Sequence, residues 1–150
     1  MNPLSVLDNH VLIPALTAWG LAQLIKLPLE FVRTRRWNWG IIMSTGGMPS
    51  SHSALVMGTS YAIGLYVGFD SPLFALSIAV AMVVIYDATG IRRQAGKHAR
   101  IINAIVNDLA SGHPLKEEQL REILGHTPLQ AAGGALLGLL ICQLFWMFWK

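Results

Sequence analysis

The sequence predicts an all-α integral membrane helical bundle, with about four transmembrane helices and one or two amphipathic helices between the third and the fourth. Composition is the first reason. Of 150 residues, 53% are hydrophobic and 13% charged, and the mean hydropathy is +0.49, too apolar for an ordinary water-soluble domain. The second reason is length. Four apolar runs approach what is needed to cross ~30 Å of hydrocarbon at ~1.5 Å per residue. The third is the distribution of cations, which gathers at one end of the predicted topology. One membrane-embedded domain over residues 1–150 is the expected organisation.

The first run, Val11 to Leu29, has no positively charged segment before it and no small-residue cleavage site after it, so it reads as a retained helix and not as a signal peptide. The second and third, Ala54 to Phe69 and Leu73 to Ile85, are short. They either span with their flanks or pack as a buried hairpin inside the bundle. Gly68 to Pro72 supplies a tight turn between them and favours an antiparallel pair. The last run, Leu129 to Trp149, contains Cys142, the single cysteine, which forms no intrachain disulfide and reads as a small packing residue.

Between the third and fourth runs, Ile101, Ile102, Ile105, Val106 and Leu109 recur at helical spacing. Leu115, Leu120, Ile123 and Leu124 do the same after a break at Ser111-Gly112-His113-Pro114. Two amphipathic helices are expected there, on the membrane surface or capping the bundle, with basic residues that suit anionic lipid.

If all four runs span, Glu30 to Ser53 and Ile91 to Thr127 share one membrane face and both termini lie on the other. Ten of the eleven Lys and Arg residues fall on or beside the first face; only Lys150 is opposite. The positive-inside rule makes that face cytoplasmic. Nucleic-acid binding is discounted: the cations lie at the membrane, the net charge is only +3, and no aromatic platform stands among them. The pI near 9.4 follows from topology instead.

Four polar constellations converge on that face. Gly46-Gly47-Met48-Pro49-Ser50-Ser51-His52-Ser53 leads directly into the second run. Free backbone N–H groups and the positive end of the macrodipole hold an anion at such a helix start, and an imidazole beside it exchanges protons near neutrality. The bland alternative is a helix cap by Ser50 or Ser51. Lys26 and Arg33, two turns apart, share one stripe if the first helix continues through Pro28; they clamp a phosphate or merely snorkel to the headgroups. Asp87 ends the third run ahead of Arg92, Arg93 and Lys97, and a carboxylate at that depth needs a partner such as Arg92 or Arg93. His126 arrives at the start of the last run, where Thr127 caps and Pro128 takes the first helical position. Gly134 and Gly138 beyond it allow close helix approach, and pairing with a second copy through them is expected.

Lys26 with Arg33, Pro49-Ser50-Ser51-His52, and His126 entering a glycine-rich helix resemble the three motif blocks of the type 2 phosphatidic acid phosphatase superfamily, which also includes vanadium-dependent haloperoxidases. The likeness is closest to its divergent, small membrane branch and covers nearly the whole chain, including Tyr86 to Arg93 and Gly125 to Leu129. It implies a metal-independent hydrolysis without cofactors. His126 would be the nucleophile, His52 the general acid, and Asp87 a carboxylate serving the catalytic histidine from another helix. Lys26, Arg33, Arg92, Arg93, Lys97 and the Ser50–Ser51 backbone would hold the phosphate, and Gln130 would orient the imidazole.

Three departures stand out. Ser51 replaces the usual glycine. Arg121 stands five residues before His126, where the family has Arg at six, and Gln130 replaces the usual aspartate. Arg92 does stand six before His98, which makes His98 a rival nucleophile. The implied substrate is a phospholipid phosphate monoester at the cytoplasmic face of a bacterial inner (plasma) membrane. The alternatives are a non-catalytic lipid-phosphate or anion binding or transport subunit and, less compatible with so short a membrane chain, a vanadate peroxidase.

Overall fold

The computed structural model describes residues 3–43, 46–110 and 125–149. They form five α-helices: α1 Leu12–Thr34, α2 Ser51–Val67, α3 Pro72–Thr89, α4 Ile91–Ala110 and α5 Pro128–Phe148, with short 3-10 turns at Pro3–Asp8 and Trp39–Met43. No strand occurs among the described residues. The all-helical membrane bundle expected from composition is therefore the architecture found. The second predicted amphipathic helix, around Leu115 to Leu124, lies outside the described residues.

Helix ends follow the local chemistry. Ser50 caps α2 by accepting from Ser53 N, and Ser71 caps α3 by accepting from Phe74 N, with Pro72 in the first turn. α1 continues through Pro28 and stops where Arg35 turns left-handed, its N–H reaching Phe31 O at 2.8 Å. Three helical stretches are long and apolar enough to cross a membrane: Leu12–Thr34, Pro72–Asn107 and Pro128–Phe148. α2 is shorter, about 25 Å at the α-helical rise. It occupies the middle, packed against α1, α3 and α5, which fits the buried-hairpin alternative for the second run.

Packing is made by small residues. Ala18, Ala22 and Ala54 form the buried centre, with Leu137 and Ile141 against it. α2 and α5 run parallel in a register that pairs Ser50 with Gly134, Ala54 with Gly138 and Gly58 with Cys142. Cys142 Sγ donates to Gly58 O at 3.2 Å. Side chains larger than hydrogen at Gly134 and Gly138 would run into the backbone of Ser50 and Ala54. This corrects the expectation that the two glycines face a second copy: they are spent on α2, because close approach inside one chain uses the same small surface that a dimer would need.

The large apolar side chains point outward instead. Val83, Met82, Leu136 and Leu140 are all more than half exposed, the distribution of a chain whose solvent is hydrocarbon. At the end where the chain starts and finishes, His10 lies against Tyr66 and Trp149 with ring centroids 5.1 and 4.5 Å apart. The opposite end gathers the starts of α2 and α5 and the ends of α1 and α3.

Candidate functional site

At that end a cavity of about 210 Å³ is lined by His52, Val83, Val84, Asp87, Ala88, Arg92, Gly125 and His126. Four helices deliver these residues: α2 brings His52 in its first turn, α3 brings Asp87 in its last, α4 brings Arg92, and the segment entering α5 brings His126. Topology makes the meeting possible, since α1 and α3 end here and α2, α4 and α5 begin here.

Two backbone bonds lock the histidines' loops in place. His126 N donates to Ala88 O at 2.9 Å, and Ser50 N donates to Gln130 O at 3.0 Å. Gly125, at φ +89°, presses against the Arg92–Arg93 backbone so closely that no Cβ fits. The sequence reading passed over Ala88 and the conformational need at Gly125. A glycine immediately before the histidine was the only available signal, and a backbone acceptor such as Ala88 O leaves none.

The rings of His52 and His126 lie 6.3 Å apart at 72°. His126 is 3% exposed, and neither of its ring nitrogens has a hydrogen-bond partner among the described residues. An unpaired buried polar atom costs about 1–3 kcal/mol, so it persists where function or an exchangeable ligand requires it. Ser51 Oγ, beside His52 and fully buried, is likewise unpartnered. Asp87 Oδ2 accepts from Arg92 Nε at 2.6 Å, the cationic partner expected for a carboxylate at the end of an apolar helix. Lys26 is buried, its methylenes packed near Gly47 in the loop before α2.

Burial pushes the His126 imidazole down from its ordinary value to about 4, reinforced by His52, Lys26 and Arg92. The ring is therefore neutral, hence nucleophilic, at neutral pH. The unfolded chain binds a proton on this ring below about pH 6.5 while the folded chain binds it only below about 4, so folding loses stability as pH falls between those values. From pH 7 to pH 5 this amounts to about 2 kcal/mol. We expect unfolding measurements in detergent to show that loss in wild type and a flattened pH slope in His126→Asn; equal slopes would refute it.

Several expected contacts are not made. Gln130 does not orient the imidazole: its Oε1 accepts from Thr127 N at 2.8 Å while Thr127 Oγ1 accepts from Gln130 N at 3.3 Å. That reciprocal capping box consumes the side chain. Arg33, Arg93 and Lys97 are exposed and line no part of the cavity. Arg33 shares a face with Lys26 but sits two turns farther along α1, past the buried part of the bundle; Arg93 and Lys97 point away from Arg92 around α4. His98 is exposed on α4 and also outside the cavity wall. Ser50 Oγ is occupied as the α2 cap, accepting from Ser53 N and Ser53 Oγ. Among the described residues no group of three or more His, Cys, Asp or Glu side chains is placed to hold a metal ion.

Comparison with known proteins agrees with the motifs. The chain is 41% identical over 149 residues to the uncharacterized membrane protein YuiD of Bacillus subtilis (strain 168), covering 92% of this chain and 94% of that one. No solved structure matches. The sequence profile described as the divergent PAP2 family matches residues 7–141. With a shared profile across the bundle and a near full-length relative that is itself a membrane protein, the chain belongs to the divergent PAP2 family.

Proposed function

We propose that this protein is a lipid phosphate phosphatase that hydrolyses a phosphate monoester through a phosphohistidine. One observation carries the reading: a buried, neutral His126 with two unpartnered ring nitrogens faces a second histidine across a cavity that also holds Arg92. Both imidazoles border one cavity with ring centroids 6.3 Å apart, which puts a nucleophile and a proton donor beside the same phosphoryl group.

A ring nitrogen of His126 attacks phosphorus, and the bond to the lipid alkoxide breaks as His52, whose pKa is lowered by burial and by Lys26 and Arg92 until the bound phosphate dianion offsets those charges, gives that oxygen its proton. His52 then takes a proton from water, the resulting nucleophile attacks the phosphohistidine, and inorganic phosphate leaves with His126 restored. Arg92, Lys26 and the amides at the start of α2 neutralise charge on the equatorial oxygens. Ser51 Oγ offers a further donor. Phosphatidylglycerophosphate is the first substrate to try, then phosphatidate and polyprenyl pyrophosphate, with the cavity on the cytoplasmic face of a bacterial inner membrane.

A second reading is a lipid-phosphate or anion binding subunit without turnover. It is favoured by the absence of an orienting acceptor on His126, since Gln130 caps α5 and Asp87 holds Arg92. The deciding assay is phosphate release by purified protein in detergent micelles containing EDTA. Release that survives the chelator and is lost in His52→Ala supports the enzyme. No release by folded protein from any of these lipids overturns it in favour of binding.

A further inference from the structure

The cavity's wall on α3 is also part of the protein's outer surface. Val83 lines the cavity together with His52 and His126, yet is 69% exposed; a residue walling an enclosed pocket would be largely covered. The same α3 face continues away from Asp87 at helical spacing through Val83, Val80 and Leu76, and the last two are 50% and 61% exposed. From Asp87 to Leu76 the helix rises about 16 Å. That is close to the depth of one leaflet, about half of the ~30 Å hydrocarbon core. At the polar end of this track stand Arg92 and the two histidines; along it there is only Val and Leu.

On the reading of the site as a lipid phosphate site, we propose that the cavity opens sideways into the bilayer at Val83, and that Val83, Val80 and Leu76 hold an acyl chain of the lipid while its phosphate faces His126. An ordinary boundary lipid would touch the whole exposed surface of α3 alike. A substrate chain leaves the cavity on one face and is anchored by its headgroup, so it dwells on that face only. The flank of α3 that carries Met82, about 100° around the helix from Val83 and 68% exposed, serves as the internal comparison.

The test is photocrosslinking in phosphatidylcholine vesicles, using phosphatidate with a diazirine near the carboxyl end of one acyl chain and diacylglycerol with the same labelled chain. We expect phosphatidate to label Val83 and Val80 over Met82 by roughly tenfold, the ratio that one retained charge-assisted hydrogen bond supplies. Diacylglycerol should show no such preference, and Arg92→Gln should erase it. Equal labelling by both lipids, or equal labelling around α3, would overturn the lateral opening. Val80→Trp, farther along the track and outside the cavity lining, should lower turnover of long-chain phosphatidate more than that of a water-soluble aryl phosphate. The two readings fail separately. Preferential labelling without phosphate release sinks the phosphatase and keeps the opening; release without preferential labelling does the reverse and brings substrate in from water.

Discussion

Replacing His126 by alanine is expected to lower phosphate release by on the order of 10⁴-fold or more, the scale seen when a covalent nucleophile is removed. Folding should survive. The imidazole makes no side-chain hydrogen bond among the described residues, and its loop is held by a backbone bond to Ala88 O that alanine retains. His98→Ala should leave turnover unchanged, because that ring is exposed on α4 outside the cavity. Single-turnover assays with labelled substrate should trap an acid-labile phosphoryl group on wild type and on His98→Ala but not on His126→Ala. The reverse pattern, label lost with His98 and kept without His126, would overturn the assignment. His52→Ala should hurt alkyl phosphates more than aryl phosphates, since an aryl oxide leaves without a proton.

The second large effect is on the bundle itself. Gly134→Ala and Gly138→Ala should each destabilise by at least about 2–3 kcal/mol, at the upper end of overpacking costs, because the added methyl meets backbone atoms of Ser50 and Ala54 that cannot swing aside. Gly133→Ala, one residue away, meets only Met48 Cε at 3.6 Å and Pro49 Cβ at 4.0 Å and should be tolerated. Gly20→Ala meets nothing within 4 Å and should stabilise by about 0.5–1 kcal/mol through helix propensity. Reversible unfolding in mixed micelles orders the four variants. If Gly134 and Gly138 served a dimer seam instead, their substitution would change association and leave monomer unfolding alone. Because Ser50 precedes Ser51 and His52, Gly134→Ala should also reduce turnover under conditions where the protein remains folded.

Much of this molecule is written locally. Apolar runs bounded by Ser50, Ser71 and Thr127 predict α2, α3 and α5 with their caps, and all three hydroxyls cap as helix chemistry requires. The run lengths identify a membrane bundle because a chain this apolar finds its low-energy solvent in lipid. The order of the polar blocks along alternating helices brings His52, Asp87, Arg92 and His126 to one end, and the structure gathers those four around one cavity. Asp87 was expected to need a cationic partner and has it in Arg92.

What sequence spacing left open concerns choices between partners of equal local merit. Gln130 stands where the family resemblance puts an imidazole partner, but a side chain in the first turn of α5 reaches its own cap more cheaply than a neighbouring ring. Arg33, Arg93 and Lys97 have the charge for a phosphate cradle; distance along α1 keeps Arg33 out, and rotation around α4 keeps out Arg93 and Lys97. The glycines of α5 announced a close helix contact without naming the helix. Only the three-dimensional register of α2 on α5 assigned that contact within the chain, because which surfaces meet depends on the summed packing of the whole bundle. The sequence by itself determined the solvent, the helices, their caps and the end at which chemistry collects. Tertiary structure decided which charges reach the cavity, that His126 is buried and neutral beside His52, and which α3 face borders both the cavity and the lipid, since burial and orientation exist only once the helices have packed.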